Sequence, residues 1–189
     1  QDLATLDPAS LVPRLRRSRA LEMFQLRSSD PQCTELLGVC LGESLQAGDL
    51  VRLHGELGAG KTTFCRGVGR GLGIRDGLTS PTYLLCKEYP TIVGPLLHLD
   101  GYFEHRLASL LGEGLIERID GRSIVLVEWA ERVDPWLPEH GLSLDFQRIA
   151  GELKPSEDDQ LPRSIECSAK GSAARELARR FSEKLAAKG

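Results

Sequence analysis

Gly55-Glu56-Leu57-Gly58-Ala59-Gly60-Lys61-Thr62 is the stretch that decides the fold. It fits G-x-x-x-x-G-K-[ST] in full, and the chemistry explains each residue type. Gly55, Gly58 and Gly60, with the small Ala59 between them, let the backbone bend until successive N–H groups turn inward on phosphate oxygens. Lys61 carries a cation to the β- and γ-phosphates. Thr62 offers a hydroxyl to Mg²⁺, and the helix that starts there presents its positive dipole end. The flanks supply the context this motif needs. Asp49 to His54 reads as a short strand, and from Lys61 a helix follows with Phe64, Val68 and Leu72 on one face. Gly67, Gly69, Gly71 and Gly73 weaken that helix, at up to about 1 kcal/mol for each interior position. Tertiary packing and bound phosphate, rather than propensity, must therefore hold it.

A phosphate loop of this kind needs an acid beside its metal, usually at the end of a neighbouring apolar strand. Two short apolar runs end that way, Leu96 to Asp100 and Ile124 to Glu128. Both read as buried parallel strands, whose carboxyl ends share the sheet edge where the loop sits. Asp100 and Glu128 are thus candidate metal and catalytic acids, acting directly or through water, together with Lys61. His98 lies two residues before Asp100 on the same strand face, which suits either a metal pair or a hydrogen-bonded core histidine. Trp129 follows Glu128, as packing or as a contact that reports nucleotide state. Between the loop helix and the next strand, Thr79-Ser80-Pro81-Thr82-Tyr83 reads as an ordinary turn or as a switch, with Thr79, Ser80 or Thr82 sensing the γ-phosphate.

Further out, Leu21 to Leu26 reads as a first strand. Asp30 and Pro31 mark a helix start, Leu37, Leu41 and Leu45 its apolar face, and Gly48 its end. Leu142 to Ile149 alternates and can pair with Ser164 to Ala169 across an acidic turn from Glu152 to Pro162. Ser172 opens a last helix with Leu177, Phe181 and Leu185 in one stripe. The sum is an α/β chain: a single-domain P-loop NTPase fold over residues 21–189, with a central, mostly parallel sheet, antiparallel edge strands and flanking helices. Residues 1–20, with Arg14, Arg16, Arg17 and Arg19, read as a basic and flexible N-terminal extension.

Composition narrows the function. With 189 residues and 41% hydrophobic content the chain buries one core. A net charge of −3 and 5% aromatics argue against wholesale nucleic-acid binding and against a stacking platform for single strands. The cysteine count is odd, with no pair at zinc-knuckle spacing, which points to reduced thiols and a cytoplasmic location. No apolar run approaches the ~18 residues of a membrane span. No signal peptide is read, and Asp2 and Asp7 disfavour a mitochondrial presequence. Glu166-Cys167-Ser168-Ala169-Lys170 imitates the guanine loop of small GTPases, but no N-K-x-D sequence accompanies it to read a guanine edge. A small-molecule kinase would need an arginine-rich lid, which Arg118, Arg122 and Arg132 do not form. A non-hydrolysing, nucleotide-gated interaction module stays open.

Four segments in order carry a resemblance: Gly55 to Phe64, Thr79 to Tyr83, His98-Leu99-Asp100-Gly101-Tyr102, and Val127-Glu128-Trp129-Ala130-Glu131-Arg132. Over about residues 22–150 the chain resembles the bacterial TsaE family, formerly called YjeE, the ATPase component of tRNA threonylcarbamoyladenosine synthesis. The resemblance implies ATP with Mg²⁺, and partnership with the TsaB–TsaD heterodimer that modifies the adenosine next to the anticodon, so that tRNA is met only through the complex. It implies an ATPase cycle that supports repeated turnover of that transferase, with low activity for the isolated chain. It gives Lys61 and Thr62 the phosphate and Mg²⁺, Thr63 phosphate, Glu128 the metal-acid role, Asp100 a catalytic or second metal role, and Thr79 to Tyr83, with Thr82 among them, the switch. Two departures stand out. Gly101 replaces an apolar residue and Phe103 an arginine, whose role this chain keeps only if Arg106 substitutes one helical turn later.

Overall fold

The computed structural model describes residues 23–79, 81, 85–110, 114–115, 117, 119, 121–149 and 161–188. The expected extension at 1–20, the start of the first strand at Leu21, Ser80, Thr82, Tyr83, Arg118 and most of the acidic turn lie outside the described residues. The strands are Met23–Ser28 (β1), Leu50–Gly55 (β2), Cys86–Tyr89 (β3), Leu96–Asp100 (β4), Ile124–Glu128 (β5), Gly141–Arg148 (β6) and Arg163–Lys170 (β7). The helices are Pro31–Gly42 (α1), Lys61–Gly71 (α2), Glu104–Leu110 (α3) and Ser172–Lys188 (α4).

Among the described residues one seven-stranded sheet runs β1-β7-β6-β2-β5-β4-β3. β2 pairs in parallel with β5 and β6, and β4 in parallel with β5, while β1, β7 and β3 join antiparallel. The expected α/β fold with a parallel centre and antiparallel edges is therefore present. β4 and β5 are buried at every position, as strands covered on both faces must be. β1 and β7 alternate between buried and more exposed positions, which is the signature of a strand with one covered face.

One face of the sheet packs on α1, α2 and α4. There Phe64 of α2 meets Phe146 of β6 edge to face at 5.4 Å, and Phe24 meets Phe181 at 6.2 Å. On the other face Leu50, Leu97, Leu99, Val125 and Val127 pack with Leu107 of α3 and with Ala130, Val133 and Leu137. β6 and β7 pair in the expected hairpin, from Gly141 opposite Lys170 to Arg148 opposite Arg163. The false guanine loop is consequently the second half of a strand, with Cys167 fully buried.

Asp30 caps α1, its carboxylate accepting from the Cys33 amide at 2.8 Å, with Pro31 at the first turn. The helix stops at Gly42, six residues short of the expected end at Gly48. The Ser44 hydroxyl donates to the Cys40 carbonyl at 2.7 Å, and Leu45 still reaches the core from beyond the helix. β3 and α3 carry too short a pattern to be read from sequence; β3 has four residues and a single buried one, Tyr89.

The glycines of α2 acquire a purpose in three dimensions. α1 crosses α2 so closely that a Cβ on Gly67 would overlap the Glu35 carbonyl and lie 3.0 Å from the Gly38 Cα. A Cβ on Gly71 would overlap the Val39 carbonyl and lie 2.9 Å from the Gly42 Cα. Gly38 and Gly42 are equally crowded by the Phe64 and Val68 carbonyls. Two small-xxx-small pairs thus bring backbones into direct contact, where dispersion and Cα–H···O contacts replace side-chain packing. Gly67→Ala gains up to about 1 kcal/mol of helix propensity but forces the helices apart. The expected result is a net loss of about 1–2 kcal/mol in unfolding free energy, read from urea denaturation by circular dichroism. A stabilised variant would contradict the seam.

Candidate functional site

The P-loop leaves the carboxyl end of β2 and enters α2 beneath an open cleft of about 350 Å³. Leu57, Gly58, Ala59, Gly60, Lys61, Thr62 and Thr63 line it, together with Trp129, Pro31, Thr34 and Arg163. Gly55, Gly58 and Gly60 adopt φ of 127°, 75° and 106°, a region that side chains disfavour. Ala59 turns inward and joins the core. Gly60 precedes the helix without any side-chain cap, and the first helical hydrogen bond is Phe64 N–H to the Gly60 carbonyl at 2.9 Å. The amides of Lys61, Thr62 and Thr63 therefore have no intrahelical acceptor, which is the donor set an anion requires. The cradle fits a polyphosphate.

Lys61 is buried, and its ammonium donates to the carbonyls of Gly55 and, at 2.9 Å, Glu56. The same nitrogen stands 3.6 Å from the centroid of the Trp129 ring. Burial pulls its pKa below the ordinary lysine value, against the opposing charges of Glu131, Glu128 and Asp100. Trp129 has φ 56° and ψ 40°, a left-handed backbone that a bulky residue seldom occupies. That turn directs the indole back over the lysine. Trp129 also meets Tyr102 at 5.2 Å, and Arg132 lies over both rings while donating to the Tyr102 carbonyl at 2.7 Å.

Glu128 is the centre of the acid group. One oxygen accepts the Thr62 hydroxyl at 2.8 Å, and the other lies 3.0 Å from His98 Nε2. The Cys65 thiol, one turn along α2, completes a cluster with His98 and Glu128 whose ligand atoms all lie within 4.8 Å. Burial pushes the Glu128 carboxyl up, but the hydrogen bond and charge of His98, then the Thr62 and Cys65 hydrogen bonds, outweigh it and leave it below the ordinary value. Burial and the neighbouring carboxylate raise the Cys65 thiol well above its usual value, so it remains a donor. His98 accordingly orients Glu128 as a buried partner. Sequence left that role open and gave Cys65 none, because a residue one turn past the lysine carries no motif.

Asp100 sits beside Glu128 in register across β4 and β5. It is buried, and its Oδ1 accepts from the Tyr102 amide at 2.8 Å, so it also caps the turn at Gly101–Phe103. Gly101 has a steric reason: a Cβ there would lie 2.6 Å from the Trp129 carbonyl and close to Val133. Arg106 is exposed on α3, and the cation placed beside Tyr102 is Arg132. Of the hydroxyl-rich segment, Thr79 is described; Lys87 donates to its hydroxyl at 3.2 Å, and Tyr89 takes its amide. Thr82 lies outside the described residues. Pro31, Thr34 and Arg163 escaped sequence reading, since only strand register brings the start of β7 to this edge.

A family model for the threonylcarbamoyl adenosine biosynthesis protein TsaE matches residues 28–155. This chain belongs to the TsaE family. It is 43% identical over 123 residues to the tRNA threonylcarbamoyladenosine biosynthesis protein TsaE of Streptomyces coelicolor, covering 61% of this chain and 80% of that one. The TsaE of Bacillus subtilis is 35% identical over 133 residues, covering 70% and 82%. The crystal structure of Bacillus subtilis YdiB superposes with a TM-score of 0.68 at 32% identity, over 85% of this chain and 95% of that one. The TsaE family works in tRNA threonylcarbamoyladenosine biosynthesis, and among the described residues no helix is long and apolar enough to cross a membrane.

The Lys61–Trp129 contact can be read without any ligand. In a Trp136→Phe background, Lys61→Met removes the cation from the Trp129 ring, and the intrinsic fluorescence is expected to change in intensity. An unaltered spectrum in a folded variant would place the ammonium elsewhere.

Proposed function

We propose that this TsaE chain binds ATP with Mg²⁺ in the P-loop cleft and hydrolyses it to support turnover of a TsaB–TsaD transferase in the cytoplasm. One observation carries the reading most directly: the Thr62 hydroxyl meets the Glu128 carboxylate at 2.8 Å beside an uncapped helix N-terminus. A hydroxyl from α2 and an acid from β5 converge on one point, the donor set of a divalent cation next to a phosphate. Both ligands are oxygen, as magnesium prefers.

In this reading the amides of Gly58 to Thr63 and the Lys61 ammonium hold the polyphosphate, and Thr62 and Glu128 hold the metal. Mg²⁺, when bound, neutralises charge that develops on the transferring phosphoryl group. His98 and Cys65 fix the Glu128 carboxylate, so little reorganisation is needed when the ligand arrives. Asp100 orients water or the metal beside it. Thr82, with its neighbours, senses the γ-phosphate. The false guanine loop supports adenine over guanine, because β7 offers no loop to read a guanine edge.

Displacement of a fluorescent ADP by unlabelled ATP and GTP tests the nucleotide, and GTP is expected to compete less well. Lys61→Ala should weaken binding by about tenfold or more and reduce hydrolysis to background, with the fold intact. Binding at full strength in that variant would overturn the cradle.

Single-turnover hydrolysis across a Mg²⁺ titration, with TsaB and TsaD present, separates the acids. Excess Mg²⁺ is expected to rescue Glu128→Ala in part and Asp100→Ala not at all. If both variants match the parent, neither acid is catalytic. Pull-down with TsaD and TsaB, with and without ATP, tests the partnership; failure to associate in either state would argue for a stand-alone nucleotide-gated protein.

A further inference from the structure

Two cations line the cleft, Lys61 and Arg163. The Lys61 ammonium lies against the Trp129 ring and is held by the Gly55 and Glu56 carbonyls, with the carboxylates of Glu131, Glu128 and Asp100 nearby. The second cation is Arg163, the first residue of β7. It is only 4% exposed although it lines the cleft. A Cβ on Gly60 would lie 3.7 Å from its Nε and 3.6 Å from the Thr34 methyl. The guanidinium therefore flanks the P-loop immediately before the helix begins. It is anchored there by donation to the Leu161 carbonyl. Its partner in register, Arg148, braces the same loop from outside by donating to the Leu57 carbonyl at 3.0 Å.

These positions bear on how a nucleotide would lie in the cleft. A metal held by Thr62 and Glu128 would serve the β- and γ-phosphates. The phosphate nearest the nucleoside would then fall to the remaining groups that line the cleft, Thr63, Thr34 and Arg163. It still carries a negative charge, and a planar guanidinium is the side chain best matched to phosphate oxygens. We propose that Arg163 is the cation that receives the α-phosphate of the nucleotide. This rests on the nucleotide reading above. It adds a residue outside the stretch matched to the family and divides the work between two cations, with Lys61 on the terminal phosphates and Arg163 on the inner one.

The test is equilibrium competition against fluorescent ADP, using ADP, ATP and inorganic tripolyphosphate with the parent protein, Arg163→Gln, Arg163→Lys and Lys61→Ala. Arg163→Gln is expected to weaken ADP and ATP by the same factor, about tenfold, and tripolyphosphate with them. Arg163→Lys should recover part of that loss, and the Mg²⁺ dependence of ATP binding should not move. Should the Gln variant fail to fold, the Lys variant carries the test, with the same uniform loss on a smaller scale. A structural role at Leu161 would lower the melting temperature and leave all three affinities unchanged, which overturns the proposal. Loss for nucleotides alone, with tripolyphosphate unaffected, would assign the guanidinium to the nucleoside and also overturn it; so would loss confined to ATP. A parent protein that binds no nucleotide, or a Lys61→Ala variant that binds it undiminished, refutes the cleft reading itself and is distinct from these results.

Discussion

Direct backbone contact between α1 and α2 governs the rest of the molecule. Side chains normally keep helices 8–10 Å apart, but Gly38 and Gly42 face Gly67 and Gly71 with no room for even a methyl group. The contact draws the beginning of α1 alongside the beginning of α2, so Pro31 and Thr34 become one wall of a cleft whose floor is the P-loop. It also fixes the roll of α2, which aims Phe64 at Phe146 and Cys65 at Glu128. A helix with poor intrinsic propensity is held in place by geometry that only glycine permits. The loop before it inherits that rigidity, and a rigid loop is what preorganised amides require.

A second layer of organisation converges on one carboxylate. Glu128 is buried at the end of a parallel strand, where an unpartnered charge would be costly. Thr62 and Cys65 from α2 and His98 from β4 share that charge, so a helix and a neighbouring strand both answer to it. Asp100 lies next to it with a carboxylate tied to the following turn. The pairing of β4 with β5 therefore sets the distance between the two acids as firmly as any side-chain contact does. A one-residue slip of either strand would put the two acids on opposite faces of the sheet.

Much of this was legible in the sequence, for identifiable reasons. The P-loop has a rigid vocabulary of glycines, lysine and threonine, and long periodic elements such as α4 announce their buried stripe. Leu96 to Asp100 and Ile124 to Glu128 were readable as parallel strands because continuous apolar runs have few alternative homes. β3 was not, since four residues give too few alternations to distinguish a strand from a loop. The helix seam was invisible because glycine spacing reads as weakness until a partner helix is known. Arg163 was equally silent: its neighbours spell an ordinary edge-type strand, and its place in the cleft follows from pairing with β6 rather than from anything local.

Trp129 shows how tightly the site is bound to a compromise. Its left-handed backbone is a conformation that favours glycine and costs a tryptophan roughly 1 kcal/mol or more. Its indole, meanwhile, is the surface on which Lys61 rests and the floor under Tyr102 and Arg132. Main chain and side chain at this position want opposite residues. Any replacement that relaxes the peptide strips the ring from the lysine, and any that keeps an aromatic retains the strain. Position 129 is consequently one where stability cannot be improved without disturbing the cleft, a local instance of the general antagonism between a relaxed fold and a working one.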